Sequence, residues 1–358
     1  MLRTTLLIAL RNLRRHRGFA LLNIAGLALG LACVLLIALF VRDELLVDQY
    51  HENAERIVRL QVDMIEDGRV DPSGNTQGDL APALVREMPE VETAVRFFNA
   101  DPVIRSGETV LQAEGGLLYT DPDVLEVFSY PLLAGSASGA LAEPGAIVLT
   151  ETLAQSLFGT TDVTGETVIA GGKPLTVTAV MEDVPRQSHF TFDGLISLET
   201  MEAPDWLYGN WFAVGFTTFA LLREGVSPEA FEAKLPAFAQ AAAGDAMAET
   251  GTDLVFKSRP LTDLYLTATL GQGTFGSAST LRILMFVALF VLIVAGVNFT
   301  NLAMARSLDR AREVGVRKTL GAMRSGLAAQ FLAEAVVLSL ASLVRALGLA
   351  QGGVPGVP

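Results

Sequence analysis

The chain has 358 residues, of which 51% are hydrophobic and only 18% charged, with a mean hydropathy of +0.42 and a formal net charge of −13. So apolar a balance points to a membrane protein rather than an ordinary soluble one, and the acidity argues against nucleic acid as a partner. A single cysteine, Cys33, rules out an intrachain disulfide, and His16, His51 and His189 lie too far apart for metal-ligand spacing.

The first eighteen residues are basic. Arg3, Arg11, Arg14, Arg15 and Arg17 precede the first long apolar run with no acid among them. Leu2, Leu6, Leu10 and Leu13 recur every three or four residues, so residues 1–18 are predicted to form an amphipathic helix suited to the anionic cytoplasmic membrane face. Residues 19–41 carry no charge. At about 1.5 Å per residue such a helix reaches roughly 34 Å, enough to span a hydrocarbon core of about 30 Å. A cleaved signal peptide fits poorly, because the run is too long and Arg42-Asp43-Glu44 follows it instead of a small-residue cleavage site.

Residues 42–282 form the acidic middle. Correcting the whole-chain −13 for the +5 of the first basic patch and the +4 of residues 306–324, with Glu334 and Arg345 cancelling, leaves them a net −22. Val58, Leu60, Val62 and Met64 alternate as in a strand; 79–88 reads as a helix, and 91–98 and 103–113 as strands. Asp121-Pro122 has the form of an N-cap followed by proline in the first turn, opening a short helix to Phe128. Residues 146–149, 175–181 and 216–222 are strand candidates, with a hairpin turn at Gly171-Gly172. Ser227-Pro228 caps a helix running toward Ala243, and the Gly/Ser/Thr-rich stretch 271–279 reads as a loop.

A second span, 283–305, carries Asn298 and Asn301 on one helical face, where amides usually bond a neighbouring helix. Residues 306–326 are basic again. The third apolar stretch, 327–344, contains Glu334, is short for a span, and is expected to stop at Arg345, leaving 345–358 as an atypical tail whose last seven residues, 352–358, do not look helical. Because both basic patches belong on the cytoplasmic side, the acidic middle is expected beyond the membrane. The predicted fold class is therefore an α+β membrane protein, with transmembrane α-helices flanking a large mixed α/β extracytoplasmic domain.

Chemistry-bearing motifs are missing from the sequence. There is no G-x-x-x-x-G-K-[ST], no G-x-S-x-G and no H-E-x-x-H; Gly171-Gly172-Lys173-Pro174 fails the first because proline follows the lysine. The abundant acids are explained by a solvated surface. No catalytic residue, metal ligand or cofactor is predicted.

Several segments together resemble a known family. ALRNLRRHRGFALLNIAGLALGLACVLLIALFVRDEL (9–45), Tyr50-His51-Glu52-Asn53-Ala54 with Arg56, Val127-Phe128-Ser129-Tyr130-Pro131, Ile147-Val148-Leu149-Thr150-Glu151, 177–185 and Ser188-His189-Phe190 are similar to ABC permeases with a MacB-like periplasmic core domain. Val297-Asn298-Phe299-Thr300-Asn301 and Arg312-Glu313-Val314-Gly315-Val316-Arg317-Lys318-Thr319-Leu320-Gly321 resemble the FtsX-type membrane domain.

The resemblance implies a plasma-membrane permease that works with a separate cytoplasmic ABC ATPase. It also implies membrane lipids, a second permease half or copy, and a periplasmic adaptor as partners. The ATPase would be met by a coupling segment containing Arg306, Arg310, Arg312, Glu313, Val314, Gly315, Arg317, Lys318 and Gly321. Family members usually continue into a fourth membrane helix, so the tail is expected to mark a truncation. An envelope sensor that controls a periplasmic partner is the alternative reading.

Overall fold

The structure is a computed structural model that describes residues 17–267, 270, 273–305, 311, 314–316, 318–319 and 324–353. It divides into two units. One comprises Met1–Leu45 and Ala278–Pro358, the other Leu46–Ser277.

The first unit holds the helices long and apolar enough to cross a membrane: α1 (Arg17–Leu45), and two more introduced below as α8 and α9. None of the residues of α1 between Arg17 and Arg42 is charged, and Arg42 in its last turn complements the helix dipole.

The second unit is one mixed sheet with helices on its faces. In chain order it contains β1 (Ile57–Glu66), β2 (Arg69–Ser73), β3 (Thr76–Gln77), α2 (Leu80–Glu87), β4 (Val91–Asn99), β5 (Val103–Ser106), β6 (Thr109–Gln112), β7 (Leu117–Thr120) and α3 (Val124–Val127). It continues through β8 (Leu132–Ala134), β9 (Ala146–Thr150), α4 (Glu151–Phe158), β10 (Thr167–Ala170), β11 (Lys173–Met181), β12 (Gly194–Ser197), β13 (Val214–Leu222), α5 (Pro228–Glu232), α6 (Leu235–Thr250), β14 (Thr252–Pro260) and α7 (Leu261–Thr267). The strand order is β14-β1-β13-β4-β7-β12-β9-β11-β10-β5-β6. The β12–β7 and β9–β11 pairs are parallel and the other ladders antiparallel. The first and last strands, β1 and β14, are neighbours from Val58↔Pro260 to Glu66↔Thr252.

Several local expectations are corrected. Residues 103–113 are two strands, β5 and β6, folded back at Gly107, where the backbone is left-handed. Asp121 does not cap α3; Asp123 stands at the N-cap position without a side-chain cap bond, while Asp121 accepts from Arg96 Nε at 2.9 Å and Nη2 at 2.6 Å. An unpaired guanidinium this deep in the domain would cost more than a missing cap, so the carboxylate goes to Arg96. The helix opening at Ser227 stops at Glu232, and a separate α6 starts at Leu235 with Pro236 in its first turn, because proline has no N–H to continue a helix. The turn at Gly171-Gly172 joins β10 to β11. In β1, Val58, Leu60 and Val62 pack into the core shared with α2, α5 and α6, but Arg59 and Gln61 on the other face are buried too.

The first unit is completed by α8 (Ala278–Ala305) and α9 (Arg324–Gly353). α9 runs through Arg345 to Gly353, so the sequence-based stop at 344 is corrected. Arginine is a good helix former, and Arg345 stays exposed while Leu338, Ser342 and Ala346 face inward. Residues 1–16, with the expected amphipathic helix, and 354–358, the end of the tail, lie outside the described residues.

Candidate functional site: the linkers into and out of the domain

The chain enters the domain through residues 46–56, directly after α1, and leaves it through 273–277, directly before α8. Both linkers are tied to one short segment, Ser188-His189-Phe190.

The entering linker is held by Asp48. Its Oδ2 lies 2.7 Å from His189 Nδ1, its Oδ1 accepts from the His189 backbone N at 3.0 Å, and its own N–H donates to Gln187 O at 2.7 Å. The two side chains are only 1% and 2% exposed. Asp48 adopts a left-handed backbone, with φ of 61°. That conformation costs roughly 1–2 kcal/mol for a non-glycine residue and is offset here by three hydrogen-bonding contacts.

The leaving linker is held by the His189 carbonyl. It accepts from Thr274 N at 2.6 Å and from Thr274 Oγ1 at 3.1 Å. Gly273 precedes it with φ of 108°, and a Cβ there would sit 2.7 Å from that same carbonyl oxygen. Only glycine permits so close an approach. His189 therefore meets one linker with its side chain and the other with its main chain.

Around this tie the aromatic residues close in. His51 lies tilted against Tyr50 at 4.0 Å and meets Phe128 and Tyr130 edge-on, each at 5.1 Å. Its Nδ1 accepts from Ser129 N at 3.2 Å, and Ser129 Oγ accepts from Glu52 N at 3.0 Å. Burial pushes the His51 imidazole down to about 4 and the Tyr50 phenol up to about 12. Arg56 ends the entering linker, donating to Asn53 Oδ1 at 2.7 Å and to Glu92 Oε2 and Leu222 O, both at 2.9 Å. A cleft of about 530 Å³ opens beside the tie, lined by His189, Phe190 and Thr274 on one side and Gly115 and Gly116 on the other.

Among the membrane helices, α1 packs against both α8 and α9. Gly26 and Gly30 let α1 approach α8: a Cβ at Gly30 would lie 2.6 Å from Ala295 Cβ, and one at Gly26 would lie 3.0 Å from Asn298 Nδ2. This is small-residue packing at a four-residue spacing. Asn298 and Asn301 are exposed on α8, and Glu334 is buried in α9 at 2%. Asn23, buried in α1, was not singled out by the sequence, nor was the Gly26/Gly30 pair, although the spacing alone could have revealed it.

Of the residues expected to meet an ATPase, Val314, Gly315 and Lys318 are helical, with Gly315 and Lys318 exposed. Arg306, Arg310, Arg312, Glu313, Arg317 and Gly321 lie outside the described residues. The sequence marked Tyr50-His51-Glu52 and Ser188-His189-Phe190 as motifs; the structure brings them together. Asp48, Gly273 and Thr274, which complete the tie, were missed. Among the described residues no group of three or more His, Cys, Asp or Glu side chains could hold a metal.

The MacB-like periplasmic core domain matches residues 20–238, and the FtsX-like permease C-terminal region matches 285–355. The uncharacterized ABC transporter permease YknZ of Bacillus subtilis is 26% identical over 243 residues, covering 68% of this chain and 53% of YknZ. The macrolide export ATP-binding/permease protein MacB of Shewanella sp. is 24% identical over 378 residues, covering 98% of this chain and 52% of that protein. This chain thus spans about half the length of these curated relatives. In fold, the second unit is similar to the crystal structure of a domain assigned to a permease protein from Porphyromonas gingivalis, with a TM-score of 0.52 and 21% identity over 66% of this chain and 98% of that one. With more than half of its residues matched by the core-domain family and its C-terminal part by the FtsX-like region, the chain belongs to the MacB/FtsX-type family of ABC transporter permeases.

Proposed function

We propose that the chain is a plasma-membrane permease subunit whose sheet domain, on the far side of the membrane from the cytosol, is moved by ATP hydrolysis on a separate cytoplasmic ATPase. The observation that carries this reading is the tie at His189. Both linkers that join the domain to membrane helices meet there through buried, directional contacts. A displacement of α1 or α8 would then be delivered to one rigid point of the sheet instead of being lost in flexible connections. The ATPase would meet the basic segment 306–321, whose arginines suit acidic residues on a partner. This mechanotransmission, used for efflux or for extruding an envelope substrate, needs no substrate path through the bilayer.

The test uses the full chain, with Cys33 replaced by serine, together with its ATPase in lipid nanodiscs. Spin labels at Leu39→Cys on α1 and Val110→Cys on β6, both exposed positions, report the separation of membrane helix and domain. The distance distribution should shift when ATP is trapped on the partner, and the shift should collapse in Asp48→Ala. An unchanged distribution with ATP trapped would overturn the reading.

A further inference from the structure

Arg59 is the largest fully buried side chain of the domain, with an exposure of 0%. Its Nη2 donates to Gly74 O at 3.0 Å, while Nε and Nη1 have no hydrogen-bond partner. Burial pulls its guanidinium down to about 10, so it remains charged at neutral pH. Among the described residues no carboxylate lies within 4.0 Å of it.

A buried cation without a counter-charge costs several kcal/mol, and buried charges in folded proteins are normally paired. The neighbours sharpen the point. Arg259 lies directly opposite Arg59 across the β1–β14 ladder, so both side chains leave the same face of the sheet. Arg259 also has no ion pair among the described residues; its Nε donates to Gln61 Oε1 at 3.1 Å. Thr217 and Asn75 add polar groups to this region, joined by a hydrogen bond from Thr217 Oγ1 to Asn75 Oδ1 at 3.3 Å, and Thr217 is itself buried. The region thus holds two arginines, two amides and a hydroxyl, while Asp63, farther along the same face of β1, is taken by Lys257.

We propose that this region binds a small inorganic anion, of the size of chloride, which accepts from the free donors of Arg59. The enclosure sets the class. Arg59 and Thr217 are closed to solvent and Gln61 is 7% exposed, which leaves no mouth for a nucleotide, a peptide carboxylate or a lipid headgroup. Arg259, half-buried beside it, supplies a second positive charge and the side from which the ion enters. The bound anion would brace β1, which follows the entering linker, against β14, which precedes the leaving one.

The test follows thermal unfolding of the full chain in neutral detergent by tryptophan fluorescence. Both tryptophans, Trp206 and Trp211, belong to the domain, and Trp211 packs on Phe256 of β14 with ring centroids 6.2 Å apart. At constant ionic strength, replacing gluconate by chloride or bromide should raise the melting temperature saturably, by about 3–5 °C. Arg59→Gln should remove the dependence. Should that variant fail to fold, Arg259→Gln, at a half-buried position, should shift the half-saturating halide concentration upward by about tenfold. Equal melting temperatures in gluconate and halide, or the same halide response in wild type and variants, would show that water alone fills the region and overturn the proposal.

Discussion

Asp48 and His189, 141 residues apart in the chain, meet at 2.7 Å with both side chains closed to solvent, and the same histidine's carbonyl holds Thr274. The permease reading places its mechanical weight on this contact, so its removal should have consequences larger than those of a surface pair. Asp48→Ala leaves a buried imidazole without its partner and should cost about 3–5 kcal/mol, read by chemical unfolding of the full chain. Asp48→Asn should cost less, since an amide oxygen still accepts from the His189 N–H. Equal losses in the two variants would mean that the negative charge, not the hydrogen bonds, holds the linker.

The pH dependence should be dominated on the acid side by His51. Its imidazole titrates at about 4 in the fold, against 6.5 as the ordinary value, because burial disfavours the charged form. The unfolded chain therefore takes up the proton first as the pH falls. Stability from this group is complete above about pH 6.5, declines between 6.5 and 4, and levels off below 4, with a total loss of about 3 kcal/mol. His51→Asn, which can still accept from Ser129 N, should flatten melting temperature against pH across that window.

Gly30 should tolerate nothing larger. Gly30→Leu drives a side chain into Ala295 and should part α1 from α8, lowering the melting temperature of the detergent-solubilised chain. Gly296→Leu on α8 is the matched control, because a Cβ there has no neighbour within 4 Å. Equal effects of the two substitutions would remove the close α1–α8 packing from the account.

The proposed coupling segment has its own test. Glu313, Arg317 and Lys318 changed together to alanine should weaken co-purification of the ATPase several-fold while leaving membrane insertion intact, since the charge pairing is lost but the apolar spans are untouched. Undiminished co-purification would take the ATPase contact away from this segment.

What the sequence made legible was periodic or local. The uncharged spans, the Gly171-Gly172 hairpin and the alternation of Val58, Leu60 and Val62 can each be read within a window of some twenty residues or fewer, and each corresponds to an element of the structure. The errors came where a distant partner outbid a local signal. Asp121 has the form of an N-cap, yet Arg96 on β4 claims its carboxylate. Arg345 looks like the end of an apolar helix, yet it turns outward and lets the helix continue. The tie at His189 joins residues from three distant stretches, and nothing in the neighbourhood of Asp48 or Thr274 announces the encounter. Arg59 hid inside an alternating strand, where a polar position ordinarily means a wet face.

The adjacency of β1 and β14 bears on how the domain withstands traction. Both connections attach at the same end of that ladder, next to the Val58↔Pro260 pair, so pulling them apart would peel its hydrogen bonds open one after another, the weakest way to strain a sheet. Asp48 and Thr274 lie outward of that end and are fastened to each other through His189. Tension between the connections would thus reach the histidine before it reached the zipper.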